Sequence, residues 1–133
     1  MFLGEYRHNL TSGKRLALPK KIRTEISGEE VILTKGFEPC IAGFDKRTWE
    51  ESAGQELAMP VSDLKGREIR RQLFSGANTM ELDDQGRVVL PENLLKWAGI
   101  KEEMTVVGAG DHFEIWDSQT WETYLRGIES KTV

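Results

Sequence analysis

One cysteine and two histidines in 133 residues leave several chemistries without material. A lone Cys40 closes no internal disulfide and supplies neither half of a Cys-x-x-Cys metal or redox pair, so a reducing, cytosolic setting is expected and a metal site is not. His8 and His112 stand without a partner motif, and Cys40 reads as a small buried hydrophobe rather than a nucleophile. Neither a P-loop, an H-E-x-x-H nor a G-x-S-x-G occurs. Gly108-Ala109-Gly110 opens like a dinucleotide loop, but Phe113 stands where the third glycine belongs and a strand rather than a helix is expected to follow. Catalysis, a cofactor and a small-molecule substrate are therefore not expected. No stretch approaches the roughly 18 apolar residues of a membrane span. The opening Met1-Phe2-Leu3-Gly4 turns polar at Glu5, Arg7, His8 and Asn9, without the apolar run of a secretory signal.

Bulk positive charge is missing too. Twenty-two acidic against 18 basic residues give a net charge of −4, which argues against coating nucleic acid through overall charge. What is present is an apolar fraction of 38 %, with four Trp and five Phe, enough for one modest core. Two independent domains are not expected, because a chain of about 60 residues buries barely enough surface to be stable.

The sequence also contains itself twice. A shift of 72 aligns positions 6–50 with 78–122 without a gap, and ten of the 45 pairs are identical, among them Leu10/Leu82, Arg15/Arg87, Pro19/Pro91, Asp45/Asp117 and Trp49/Trp121. Chance would give roughly 6 % identity, about three matches. Each copy reads as strand, turn, strand, short helix, second hairpin and helix start. In copy two, Asp83-Asp84-Gln85-Gly86 is the turn, with Asp83 and Gly86 as its structural residues, and Pro91 opens a helix that Gly99 closes. Asp45 and Asp117 read as N-caps of amphipathic helices, with Trp49 and Trp121 as core anchors. The expected layout is a first repeat at 5–50, an inter-repeat helical segment at 51–76, a second repeat at 77–122 and a tail at 123–133. In the helical segment, Arg67, Arg70 and Arg71 read as a solvated face or as partners of Glu50, Glu51 or Glu56, ahead of phosphate contacts. Neither copy closes a core alone, so the copies are expected to interleave about a pseudo-twofold axis, strands of one completing the sheet of the other.

Charge is distributed unevenly over this repeat. Residues 6–24 hold Arg7, Lys14, Arg15, Lys20, Lys21 and Arg23 and no acid, a charge of +6, whereas the aligned window 78–96 sums to −2. A local positive surface suffices to displace counterions from phosphates. Lys14 and Arg15 stand at a turn, where side chains project, with Lys20, Lys21 and Arg23 expected on the short helix behind it. Arginine suits bidentate guanine recognition and lysine suits phosphate, so this run reads as a double-stranded DNA surface, weighed against a merely solubilising face.

The segment Asp83-Asp84-Gln85-Gly86-Arg87-Val88-Val89-Leu90-Pro91 resembles the D-x-x-G-R signature of the AbrB/SpoVT swapped-hairpin superfamily. Its tandem duplication, the repeated D-x-x-T-W and the opening Met-Phe-Leu-Gly resemble the MraZ family within it, to about residue 125. That resemblance implies a mostly β (α+β) fold with flanking helices, built as a double-split, swapped-hairpin β-barrel, and a ring-shaped homo-oligomer. It further implies a cytoplasmic, nucleoid-associated transcriptional regulator that binds short direct repeats at the promoter of its own division and cell-wall gene cluster and represses it. The DNA-facing positions carried over are Lys14 and Arg15, Arg7 or His8 on the preceding strand, Lys20, Lys21 and Arg23, and Arg87 in copy two, for which a structural role beside Asp83 is the alternative. Copy one departs from the signature: Thr11-Ser12-Gly13-Lys14-Arg15 has Thr for Asp and its Gly one place early, which makes this turn the more positive. Swapped-hairpin antitoxins are the rival reading, and they usually have one copy and a long acidic tail.

Overall fold

A computed structural model describes residues 1–132. Copy one forms β1 (Glu5–Asn9), β2 (Arg15–Ala17), α1 (Lys20–Arg23), β3 (Glu30–Lys35), β4 (Ile41–Asp45) and α2 (Lys46–Leu57), and α3 (Leu64–Ser75) follows. Copy two forms β5 (Asn78–Glu81), β6 (Arg87–Val89), α4 (Glu92–Ala98), β7 (Glu103–Gly108), β8 (Phe113–Asp117) and α5 (Ser118–Lys131). The fold is mostly sheet with flanking helices. Two expected borders fall inside helices, since α2 crosses the 50/51 boundary and α5 continues through the tail to Lys131.

The 72-residue offset holds for β2/β6, β4/β8 and the starts of α1/α4 and α2/α5, but not for β3/β7, where Val31 pairs with Asp45 and Met104 with Asp117, an offset of 73. Copy two carries one extra residue between its short helix and β7, where α4 is longer than α1, and recovers register in a shorter β7–β8 loop. The sequence identities Glu30/Glu102 and Gly36/Gly108 therefore do not mark equivalent positions.

Six strands form one sheet in the order β1-β7-β8-β4-β3-β5, and β2 pairs with β6 in a separate ribbon. Neither outer strand lies on its own hairpin. β1 pairs with β7 (Tyr6 opposite Val106) and β5 with β3 (Met80 opposite Val31), while the two hairpins meet at β4/β8, with Ile41 opposite Ile115. Exchanging the copies leaves this order unchanged. One core follows, in which Leu16, Ile22, Val31 and Ile41 of the first copy pack with Val88, Leu94, Met104 and Ile115 of the second. At the seam Gly43 faces Phe113, and a Cβ at residue 43 would collide with that buried ring.

The capping chemistry differs between the copies. Asp117 caps α5 by accepting from the Thr120 N–H at 3.3 Å. Asp45 occupies the matching position of α2 but its carboxylate does not cap the helix: it accepts from the Ser27 N–H at 3.0 Å and the Ser27 hydroxyl at 2.8 Å. Asp45 is buried, and two converging donors on the α1–β3 loop hold its charge better than one frayed helix N–H. Trp121 is buried against Trp116 and Cys40, as an anchor should be, and Trp49 is half-buried between Phe44 and Phe74. Burial also pushes the Cys40 thiol far above its ordinary pKa, which removes it as a nucleophile.

Of the α3 arginines, Arg71 is exposed as a solvated face would be, but Arg67 and Arg70 make neither of the expected contacts. Arg67 donates to the Val61 carbonyl at 2.8 Å, and Arg70 to those of Leu57 and Met59 at 2.8 and 2.7 Å. They take up carbonyls that the C-terminus of α2 and its following loop leave unpaired, where a cation also complements the helix dipole.

His112 lies between two carboxylates, Asp111 at 2.8 Å and Glu114 at 3.0 Å, and stacks on Phe44. The Glu114 hydrogen bond raises its pKa, burial opposes, and Asp111 adds to the rise. Burial pushes the Glu114 carboxyl up, but hydrogen bonds from His112 and Trp116 overcome this and hold it below its ordinary value. The folded state thus binds the His112 proton more tightly than the unfolded chain does. This stabilisation is complete below about pH 6.5 and is lost as pH rises through the raised value, on the order of 1 kcal/mol per unit of rise. Thermal melts should show stability declining from near-neutral into mildly alkaline pH, and His112→Gln should flatten that decline. An unchanged slope in the variant would rule His112 out as its source.

Candidate nucleic-acid interface

The antiparallel β2–β6 ribbon sets Arg15 opposite Val89 and Ala17 opposite Arg87, so the two repeat turns lie at its opposite ends. Both turns close with the same backbone bond, Thr11 N–H to Arg15 carbonyl and Asp83 N–H to Arg87 carbonyl, each 3.0 Å. Both then hand the chain across the ribbon in the same way, through Leu90 N–H to Lys14 carbonyl at 2.8 Å and Leu18 N–H to Gly86 carbonyl at 3.1 Å. The displaced glycine of copy one is accommodated by a second left-handed residue: Gly13 has φ +77°, and Lys14, at the place of Gly86 (φ +74°), has φ +57°. Lys14 is the one non-glycine residue with positive φ among the described residues. A Cβ in that conformation costs about 1–2 kcal/mol, which glycine would avoid.

Copy two's turn is tied down by its acid. Asp83 Oδ1 accepts from the N–H groups of Gln85 and Arg87 at 2.9 and 2.8 Å, and Oδ2 accepts from Arg87 Nε at 2.8 Å. The Arg87 backbone N–H is the main cause of the Asp83 carboxyl lying below its ordinary pKa. In copy one, Thr11 Oγ1 donates to the Arg15 carbonyl at 2.9 Å, a hydroxyl in place of a carboxylate, so the Arg15 guanidinium has no acid within its own turn to pair with. Arg15 is exposed and forms no ion pair among the described residues.

The six cations of residues 6–24 do not gather behind one turn. Because α1 follows the far end of β2, it stands beside the turn of copy two, and Arg23 lies over Gly86 so closely that a Cβ there would collide with it. Lys20 and Lys21 are exposed on that same helix. In exchange, α4 of copy two stands beside the turn of copy one, where Glu92 Oε2 accepts from Lys14 Nζ at 2.8 Å. That bond is the main cause of Glu92's lowered pKa. Arg7, on the exposed face of β1, pairs with Glu122 of α5 and lies 3.8 Å from Glu103 of β7. Glu92, Glu103 and Glu122 are the contributors that reading along the chain missed. Each lies more than 70 residues from its partner, and only the strand pairing brings them in.

Among the described residues no helix is long and apolar enough to cross a membrane, and no cluster of His, Cys, Asp and Glu has metal-binding geometry.

Comparison with known proteins agrees with this architecture. The family model described as "MraZ protein, putative antitoxin-like" matches residues 1–72 and again 73–132. A protein named Transcriptional regulator MraZ from Roseiflexus castenholzii is 40 % identical over 130 residues, spanning 98 % of this chain and 90 % of that one. A protein of the same name from Roseiflexus sp. strain RS-1 is 39 % identical over the same spans. With both repeats matched and relatives this similar over almost the whole length, the chain belongs to the MraZ family.

Proposed function

We propose that this protein is a sequence-specific DNA-binding transcriptional regulator whose chief reading element is the turn Thr11 to Arg15. The observation that carries this reading is the state of Arg15: exposed, at the end of a two-stranded ribbon and paired with no carboxylate among the described residues, while its repeat counterpart Arg87 is clamped by Asp83. A ribbon end that projects an arginine is suited to a major groove, where guanine offers two acceptors to one guanidinium. Lys14 supports it at the phosphates, and Lys20, Lys21 and Arg23 form a second, weaker contact zone beside the other turn. The relatives' name, transcriptional regulator, and the absence of any catalytic constellation in the sequence support a binding role over an enzymatic one.

In this reading the two copies form the halves of a swapped-hairpin, double-split barrel, and several subunits assemble into a ring that engages successive short direct repeats. Weak single contacts then gain from effective concentration. The target is the promoter of its own division and cell-wall gene cluster, which it represses from the cytoplasm and nucleoid. Mobility shifts on the duplex upstream of its coding sequence test this. Affinity should fall linearly on a log–log salt plot, with a slope of about −0.9 per phosphate contact. A salt-insensitive complex, or equal affinity for a shuffled duplex, would overturn the proposal. The matched family description is also antitoxin-like, and a stoichiometric toxin bound to the native protein would favour that role instead.

A further inference from the structure

Lys14 enters this interface with its charge already engaged. Its ammonium donates to Glu92 Oε2 at 2.8 Å, and Glu92 belongs to the other copy, 78 positions along the chain, at the first residue of α4. Both side chains are well exposed, at 48 % and 67 %. An exposed pair of this kind contributes little to stability. Three features give the contact another meaning. Lys14 holds a left-handed conformation that glycine would adopt without strain, so an amino acid with a side chain sits where the backbone favours none. In the exchanged location, copy one's α1 starts with Lys20 where α4 starts with Glu92, so the carboxylate is peculiar to the end that carries the carboxylate-free Arg15. And the ligand that Lys14 would meet on DNA is itself an anion, for which the Glu92 carboxylate is a stand-in.

Resting on the reading of this turn as the DNA-contacting end, we propose that Glu92 is an affinity-setting residue that competes with the DNA backbone for Lys14. A phosphate approaching Lys14 must displace the carboxylate, and the displaced carboxylate stays at the rim of the site and repels the same phosphate. Both effects oppose the sequence-independent part of binding, the part that comes from phosphate neutralisation. Arg15, which has no such competitor, remains free to read bases. Glu92 touches no base in this account and acts through Lys14, so it is a positioning residue rather than a contact residue.

The test is a double-mutant cycle on the full chain, read by fluorescence anisotropy with the upstream duplex and with a random duplex of equal length. Glu92→Gln keeps the side-chain shape and removes the charge. It is expected to tighten binding to both duplexes by about threefold to tenfold at low salt, with a gain that shrinks as salt rises. In a Lys14→Ala background the same change should yield clearly less, because the competition has lost its object. Thermal melts of Glu92→Gln should stay near those of the parent, which separates this role from a structural one. Unchanged or weaker binding by Glu92→Gln, while Arg15→Ala still weakens binding, overturns the competition and leaves the interface assignment standing. If Arg15→Ala and Lys14→Ala are both silent, the interface itself is misplaced and the inference falls with it. A full gain retained in the Lys14→Ala background also overturns it, since Glu92 would then act by general repulsion.

Discussion

Arg15→Ala should lower affinity for the upstream duplex by about fivefold to 150-fold, since a bidentate arginine–guanine contact is worth about 1–3 kcal/mol of discrimination. Arg87→Ala should cost far less. The two arginines are repeat equivalents on the same ribbon, so a difference between them cannot come from fold position alone. It comes from the residue four places earlier: Asp83 holds Arg87 Nε at 2.8 Å, whereas Thr11 offers Arg15 only a hydroxyl that is itself spent on the Arg15 carbonyl. Moving Arg87 to DNA would first break a hydrogen-bonded ion pair and leave Asp83 and Asp84 facing phosphate. Anisotropy titrations on cognate and random duplexes, with melting curves for both variants, decide the matter. Arg15→Ala should narrow the gap between the two duplexes as well as weaken binding. Equal losses from the two variants would place DNA across both ends of the ribbon and refute the assignment to copy one.

Phe113→Ala should destabilise the protein by about 3–5 kcal/mol, the range for deleting a large buried ring, and this is a large part of the 5–15 kcal/mol that typical domains have. The ring is fully buried, packs at 5.4 Å from Phe2 and occupies the space left by Gly43 where the two hairpins meet. It therefore joins the copies rather than serving one. Unfolding of the parent and the variant should each remain a single transition, coincident by tryptophan fluorescence and far-UV circular dichroism, with the variant's midpoint at much lower denaturant. Two separable transitions would mean that the copies fold independently and that the shared core is misread. Gly43→Ala approaches the same seam from the other side, and overpacking there is expected to cost about 1–3 kcal/mol.

The duplication makes much of this architecture legible in the sequence. Short turns with Gly and Asp, the prolines at residues 19 and 91, and the paired Asp and Trp located nearly every element, because these residues act through their own backbone. The one-residue slip at β3/β7 was not legible: an insertion and a deletion a few residues apart cancel, and the gapless alignment passes over both. Local chemistry also gave no warning that Asp45 would turn to Ser27, since capping depends on which donors happen to converge on a carboxylate. Charge was the least legible property. Residues 6–24 look like one basic block only while the chain is read as a line. Strand exchange carries α1, with Arg23, to the acidic turn and brings Glu92 to the basic one.

The exchange also bears on the grammar of the site that the protein can read. Two identical chains crossing their strands in this way would present the same turn at both ends of the ribbon, and the DNA they fit best would read the same in either direction along its two strands. Here both halves belong to one covalent chain and each has changed independently, so one end presents Lys14 and Arg15 with Glu92, and the other presents Asp83, Asp84 and a clamped Arg87. Under the proposed DNA-binding role, such a subunit would have a front and a back on the duplex. Its preferred box would be one with polarity, and copies of the subunit arranged head to tail would meet such boxes repeated in the same orientation rather than mirrored.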